Sequence, residues 1–135
     1  MTTAQRPRTI AFVCLHGSAK SLIAAEYLNR SAAARGAQMS ATASGQEPDA
    51  EIPPHVVAGL HAKGFDVEGW IPAPATAERL AAADRVIAFG CELADVAPGR
   101  IVEQWADCPA VSEDFDAAWA YISARVDRML ETPPK

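Results

Sequence analysis

The feature that most constrains the fold is a buried strand that runs through a short loop into a helix near the start of the chain. Residues 9–13 are β-branched and aromatic, as expected for a buried strand. Gly17 and Ser18 interrupt this run. Residues 19–35, rich in Ala, Leu and Glu, then predict a helix that ends at Gly36.

Strands and helices are predicted to alternate along the rest of the chain. The predicted segments are strands at 39–43, 84–90 and 101–105, helices at 52–64 and 76–83, and a loop at 66–75. A last helix is predicted from an apolar stripe formed by Phe115, Trp119, Ile122, Val126 and Met129. This order predicts an α/β fold with a four-stranded parallel sheet and helices on both faces. We expect one domain over residues 9–131, preceded by a flexible tail over residues 1–8.

The composition argues against a nucleic-acid-binding, a membrane-spanning or a metal-binding protein. The chain has 135 residues and a net charge of −5, with no long basic run that would suggest nucleic-acid binding and no apolar stretch of membrane-spanning length. Cys14, Cys91 and Cys108 are an odd number at wide spacings without a metal-ligand pattern. They favour a reducing, cytoplasmic location. His55 and His61 do not share a metal-binding face, so neither a metal nor another cofactor is expected.

The loop from Cys14 to Ser21 is the candidate functional site. A turn of small residues entering a helix presents backbone N–H groups and the positive end of the helix dipole to an anion. The same field favours a thiolate on Cys14, and Lys20 adds a positive charge. This order of groups suits covalent attack on a bound oxyanion. On residue types alone, the alternative is a buried, inert cysteine at the end of a core strand.

The segment resembles the Cys-x5-Arg-Ser loop of the low-molecular-weight protein tyrosine phosphatases and the related thioredoxin- or thiol-linked arsenate reductases. Its start, Phe-Val-Cys-Leu-His, is closer to the reductase branch. Further similar segments follow in the family's order, namely Thr42-Ala43-Ser44-Gly45, Ile52-Pro53, Gly64-Phe65-Asp66-Val67, Ala83-Asp84-Arg85-Val86-Ile87 and Trp105-Ala106-Asp107-Cys108-Pro109. Together they cover about residues 9 to 130 and imply the family's fold.

The resemblance also implies roles for individual residues. Cys14 would be the nucleophile, and Ser21 would hydrogen-bond its thiolate. The oxyanion cradle would be formed by Leu15, His16, Gly17, Ser18 and Ala19. An acid on the 105–109 loop would protonate the leaving group. The implied substrate is a phosphate ester or arsenate, and a reductase would also need a thiol, here an external one.

Three positions depart from the family's pattern. Lys20 replaces arginine and offers a point charge in place of a bidentate clamp, a loss of roughly 10²- to 10³-fold in rate. Gly17 replaces asparagine, which predicts a more flexible loop. Cys108 precedes Pro109 where the family has aspartate, so Asp107 is either the general acid or a solvated loop residue.

The sequence leaves alternatives open for the roles of several residues and for the function. Gly90 and Ala97 occupy the family's resolving-cysteine positions, and Cys91, one residue away, is interpreted as a small residue at the core edge. His16 would either donate to an oxyanion or face solvent, and Trp70 would either line the mouth of the site or pack within its loop. The three hypotheses are a phosphatase, an arsenate reductase, and a catalytically impaired member that binds oxyanions or a protein. The sequence carries no signal of oligomeric state.

Overall fold

The computed structural model describes residues 8–131. Its strands are β1 (Arg8–Cys14), β2 (Met39–Gly45), β3 (Arg85–Ala88) and β4 (Val102–Gln104), and its helices are α1 (Lys20–Arg35), α2 (Pro54–Ala62), α3 (Ala77–Ala81) and α4 (Phe115–Glu131). The predicted tail, residues 1–8, lies outside the described residues except for Arg8, which begins β1. No helix within residues 8–131 is long and apolar enough to cross a membrane.

The four strands form one parallel sheet in the order β2-β1-β3-β4, which confirms the predicted sheet. β1 is central, so the loop that follows Cys14 emerges from the middle of the sheet's carboxyl edge. β2 continues two residues beyond the predicted segment because Ser44 and Gly45 pair with Val13 and Cys14. This extension brings the end of β2 beside the start of the Cys14 loop.

Side chains of β1 alternate between two apolar layers, as the pleat of a strand requires. Ile10, Phe12 and Cys14 face the larger layer, which contains buried side chains of α1, α2 and α4 such as Leu28, Leu60 and Ile122. Ala11 and Val13 face the smaller layer, with Leu80 of α3 and with Leu93 and Ala97 of the segment after β3. Helices therefore cover both faces, as the sequence predicts.

Two of the predicted helix ends are confirmed by their capping geometry. α1 ends at Gly36, whose φ of 68° is the left-handed conformation that glycine adopts without a steric penalty. The hydroxyl of Thr76 accepts a hydrogen bond from the backbone N–H of Arg79 and caps α3. α3 ends at Ala81, two residues before the predicted end.

The apolar stripe predicted for the last helix does face the core. Ile122 and Val126 are fully buried, together with Ala118 one turn before Ile122 on the same face. Trp119 is half-buried, and its ring packs edge-on against Tyr27 at 5.3 Å between ring centroids. α4 is thereby fixed against α1, the helix that begins at the candidate site.

Candidate active site

The candidate loop, residues 15–19, connects the last residue of β1 to the first residue of α1. Cys14 is buried with 7% of its surface exposed, and Lys20 is half-buried at the helix start. The loop turns at Gly17, whose φ is 67°. These positions place the cysteine at the carboxyl edge of the sheet and at the amino end of α1, where the helix dipole is positive.

Two groups contact the sulfur of Cys14. The backbone N–H of Gly17 donates to Sγ at 3.2 Å, and the hydroxyl oxygen of Ser21 lies 3.0 Å from the same atom. A backbone N–H and a hydroxyl are groups that can donate to a negatively charged sulfur and so stabilise it. The contact expected between Ser21 and Cys14 is therefore present, with Ser21 completely buried beneath the loop.

Gly17 is required by packing as well as by its backbone conformation. A Cβ atom on Gly17 would lie 2.6 Å from the backbone nitrogen of Gly45, and a Cβ on Gly45 would lie 2.4 Å from that of Gly17. Both distances are too short for real atoms, so the two backbones approach this closely only because both residues are glycine. The end of β2 therefore packs directly against the loop at Gly17.

The segment after β2, residues 46–49, pairs with the loop. Backbone N–H groups of Gln46, Glu47 and Asp49 donate to the carbonyl oxygens of residues 14, 15 and 16 at 3.2, 2.7 and 3.1 Å. A side-chain hydrogen bond joins the same two segments, since the Ser18 hydroxyl donates to the Asp49 carboxylate at 2.6 Å. Sequence reasoning missed Asp49, since no local pattern links it to a loop 31 residues earlier.

His16 faces this segment. Its Nδ1 lies 3.1 Å from the Glu47 carbonyl oxygen and 3.5 Å from a carboxylate oxygen of Asp49. Both neighbours are acceptors, so the proton of the ring is assigned to Nδ1. The side chain is half exposed, and its ring is turned toward residues 47–49 at the edge of the site. Neither expectation for His16, oxyanion donor or free solvent contact, describes this position fully.

The loop after β4 contains the two candidates for the acid position. Asp107 is exposed, whereas Cys108 is buried and packs in the same apolar layer as Cys14. Burial raises the pKa of the Cys108 thiol to about 11, although Lys20 and Arg125 oppose the rise. Within residues 8–131, Asp107 makes no hydrogen bond or ion pair with the Cys14 loop. Cys108 is therefore buried in the apolar layer that Cys14 faces, and Asp107 is exposed beside it on the same loop.

Tyr121 of α4 lies beside the acid loop. Its hydroxyl is buried without a hydrogen-bond partner among residues 8–131, and the guanidinium of Arg125 stacks 4.5 Å from its ring. Burial raises the pKa of Tyr121, Arg125 lowers it in part, and Cys108 and Asp107 raise it further. α4 thus contacts the loop that carries Asp107.

A sequence profile of the low molecular weight phosphotyrosine protein phosphatases matches residues 9–107, from β1 through Asp107. The chain belongs to this family. No curated protein sequence shows significant similarity to the chain.

Solved structures show the same fold in phosphatases and arsenate reductases. YfkJ from Bacillus subtilis superposes with a TM-score of 0.79 at 18% identity, covering 91% of this chain and 92% of its own. The tyrosine phosphatase Wzb from Escherichia coli K30 gives 0.75 at 16% identity, with 91% and 96% covered. A thioredoxin-dependent arsenate reductase from Corynebacterium glutamicum gives 0.72 at 26% identity, with 94% of this chain and 62% of the reductase covered.

Membership of the low molecular weight phosphotyrosine protein phosphatase family confirms the resemblance from which the roles of the site residues are predicted. The buried Cys14 is consistent with the family's cysteine nucleophile. None of the matches supports the alternative of a non-catalytic binding module. Trp70, which was predicted either to line the mouth or to pack in its loop, is half-buried and packs against the larger apolar layer.

The three cysteines of this family member are free and occupy different positions relative to the sheet. Cys14 and Cys108 belong to the larger apolar layer, whereas Cys91 packs against the smaller one on the opposite face. The Cys91 thiol lies 3.6 Å from the carbonyl oxygen of Val13, and burial together with the charge of Cys14 raises its pKa. Cys91 is therefore half-buried at the core edge and packs against a different apolar layer from Cys14.

Proposed function

We propose that this protein hydrolyses phosphate monoesters through a covalent phosphocysteine on Cys14. The observation that carries the proposal is the pair of contacts on Cys14 Sγ, from Gly17 N–H at 3.2 Å and from Ser21 Oγ at 3.0 Å. A thiolate on Cys14, the reactive form of cysteine, would accept hydrogen bonds from both groups at the amino end of α1.

The first step transfers the phosphoryl group to the enzyme. The Cys14 thiolate attacks phosphorus, the bond to the ester oxygen breaks, and the leaving alcohol takes a proton from Asp107. Backbone N–H groups of residues 15–19 and the ammonium group of Lys20 hold the three remaining oxygens. In the second step water attacks the phosphocysteine, Asp107 accepts its proton, and inorganic phosphate leaves with the thiolate restored.

Arsenate reduction is the second candidate function, favoured by the 26% identity to the Corynebacterium glutamicum reductase. Cys14 would attack arsenate with loss of water to form a sulfur–arsenic bond. An external thiol would then attack the sulfur of Cys14, and the electron pair of the sulfur–arsenic bond would leave with arsenic as arsenite. A second thiol would reduce the resulting mixed disulfide. An external thiol is proposed because Gly90 and Ala97 occupy the family's resolving-cysteine positions and Cys91 packs against a different apolar layer from Cys14.

The test is an assay of the purified protein with p-nitrophenyl phosphate near pH 6, beside Cys14→Ser. We expect hydrolysis that disappears in the variant. Hydrolysis at the level of Cys14→Ser would overturn the phosphatase proposal. Arsenate with thioredoxin, thioredoxin reductase and NADPH then tests the second candidate, for which NADPH oxidation that depends on both arsenate and Cys14 is the supporting result.

We also propose that the protein acts in a reducing compartment such as the cytoplasm. All three cysteines are free, and the proposed nucleophile works only as a thiolate.

A further inference from the structure

The proposed chemistry requires the backbone N–H groups of residues 15–19 to converge on one oxyanion. The loop that carries them has a glycine at its centre, and this glycine contributes no side chain that would hold the turn in place. The groups that hold the loop must therefore come from elsewhere in the fold.

Asp49 contacts the loop on both sides of Gly17. On one side, its backbone N–H donates to the carbonyl oxygen of His16 at 3.1 Å, and its carboxylate lies 3.5 Å from His16 Nδ1. On the other side, its carboxylate accepts the hydrogen bond of the Ser18 hydroxyl at 2.6 Å. Ser18 is 1% exposed and the Asp49 side chain is partly buried, and the acceptor of this hydrogen bond is a carboxylate, which makes it the stronger kind.

The segment that carries Asp49 is itself anchored to the sheet edge. The backbone N–H of Gln46 donates to the carbonyl oxygen of Cys14, and its side-chain amide donates to the carbonyl oxygen of Glu92 after β3. The preceding Gly45 packs against Gly17 and exchanges backbone hydrogen bonds with residues 73 and 75. Asp49 is therefore a fixed acceptor, positioned by the ends of β2 and β3.

We propose that Asp49 is a positioning residue, which holds the oxyanion loop in its binding conformation through its contacts with Ser18 and His16 on either side of Gly17. The proposal rests on the proposed function, because it assigns the loop its role in holding the substrate's oxygens. Asp49 itself does not touch the substrate. Its carboxylate holds the loop in place, as the asparagine side chain would at position 17 in the family's pattern.

The first experiment measures hydrogen exchange, without substrate, of three backbone amides whose hydrogen bonds depend on the loop's conformation: Gly17, which donates to Cys14 Sγ, and Gln46 and Glu47, which donate to the carbonyl oxygens of residues 14 and 15. Asp49→Ala removes the acceptor, and we expect these amides to exchange roughly ten- to hundredfold faster, the effect of losing a hydrogen bond to a charged group. Amides of residues 10–13 in β1 should exchange at the unaltered rate, which shows that the fold is intact. Ser18→Ala removes the donor and should reproduce the effect, so the test does not depend on one variant folding.

Two further variants separate hydrogen bonding from charge. Asp49→Asn keeps an oxygen acceptor for Ser18 without the negative charge and should restore slow exchange. Glu51→Ala removes an exposed charge two residues beyond Asp49 and should leave exchange unchanged. Unaltered exchange in Asp49→Ala, or equally fast exchange in Asp49→Ala and Asp49→Asn, would overturn the proposal.

The activity measurement uses the same variants with p-nitrophenyl phosphate. We expect Asp49→Ala to lower kcat/KM roughly tenfold or more and to weaken inhibition by inorganic phosphate, with recovery in Asp49→Asn. Normal kcat/KM in a variant whose loop exchanges faster would overturn the catalytic part of the proposal. If the unaltered protein hydrolyses nothing, the proposed function fails, while the exchange measurement still decides whether Asp49 holds the loop.

Discussion

The hydroxyl of Ser18 donates a 2.6 Å hydrogen bond to the carboxylate of Asp49, 31 residues further along the chain. This contact joins the loop after β1 to the segment after β2, two neighbouring strands of one parallel sheet. The candidate site is therefore built from several strand ends, and its properties depend on contacts distant in sequence.

Ser21→Ala should lower kcat/KM for p-nitrophenyl phosphate roughly ten- to hundredfold, because it removes a donor 3.0 Å from the Cys14 sulfur. Steady-state kinetics across pH measure this effect. Ser123→Ala, on α4 and away from the site, is the matched control and should keep full activity. Activity in Ser21→Ala equal to that of the control would show that the Ser21 contact does not support the nucleophile.

Lys20→Arg should raise kcat by roughly 10²-fold, because a planar guanidinium binds two oxygens of the transferring group where an ammonium offers a point charge. The measurement is kcat with p-nitrophenyl phosphate, beside Lys63→Arg as the same change on the surface of the protein. A large gain would indicate that the natural protein is adapted to something other than rapid turnover. An unchanged kcat would mean that Lys20 does not contact the transferring group.

Asp107→Asn should reduce kcat roughly 10²-fold or more for phenyl phosphate and less for p-nitrophenyl phosphate, because the nitrophenolate leaves readily without a proton. Comparing the two substrates isolates proton donation from binding. Asp95→Asn, on another exposed loop, should change neither rate. Equal losses for both substrates would contradict the role of Asp107 as the acid.

Gly17→Ala should destabilise the protein more than Gly36→Ala, although both glycines have φ near 68°. The left-handed conformation costs alanine about 1 kcal/mol at either position. Only at Gly17 does the new Cβ meet backbone atoms within 3 Å, whereas nothing lies within 4 Å at Gly36. Urea unfolding gives both free energies, and equal losses would show that the contact with Gly45 relaxes without cost.

Cys108 should make the protein less stable as the pH rises from about 9 to about 11. Its pKa rises from 9.0 to about 11 on folding, so the folded state binds more protons than the unfolded state in this interval. The stability it contributes is complete below pH 9 and is lost as the pH approaches 11. Relative to Cys108→Ala, we expect a fall of about 1–2 kcal/mol in the free energy of unfolding. Parallel pH profiles for the two proteins would contradict the buried, neutral thiol.

The sequence by itself determined the order of elements, the parallel sheet and the position of the candidate loop. These features follow from local patterns: the apolar run of β1, the glycine that ends α1 and the stripe on α4. Cys14 and Ser21, seven positions apart, were also identified from the sequence, because the resemblance to the family's Cys-x5-Arg-Ser loop rests on a local motif.

Tertiary structure alone decided what surrounds that loop. Gly17, interpreted from the sequence as a source of flexibility, is packed against Gly45 because β2 extends two residues further in register with β1. Asp49 contacts Ser18 because strand order places β2 beside β1. Cys108 packs in the same apolar layer as Cys14, whereas Cys91 packs against the other layer. The face of the sheet to which each segment packs decides this difference. Such contacts depend on pairing between distant segments, which no local pattern in the sequence encodes.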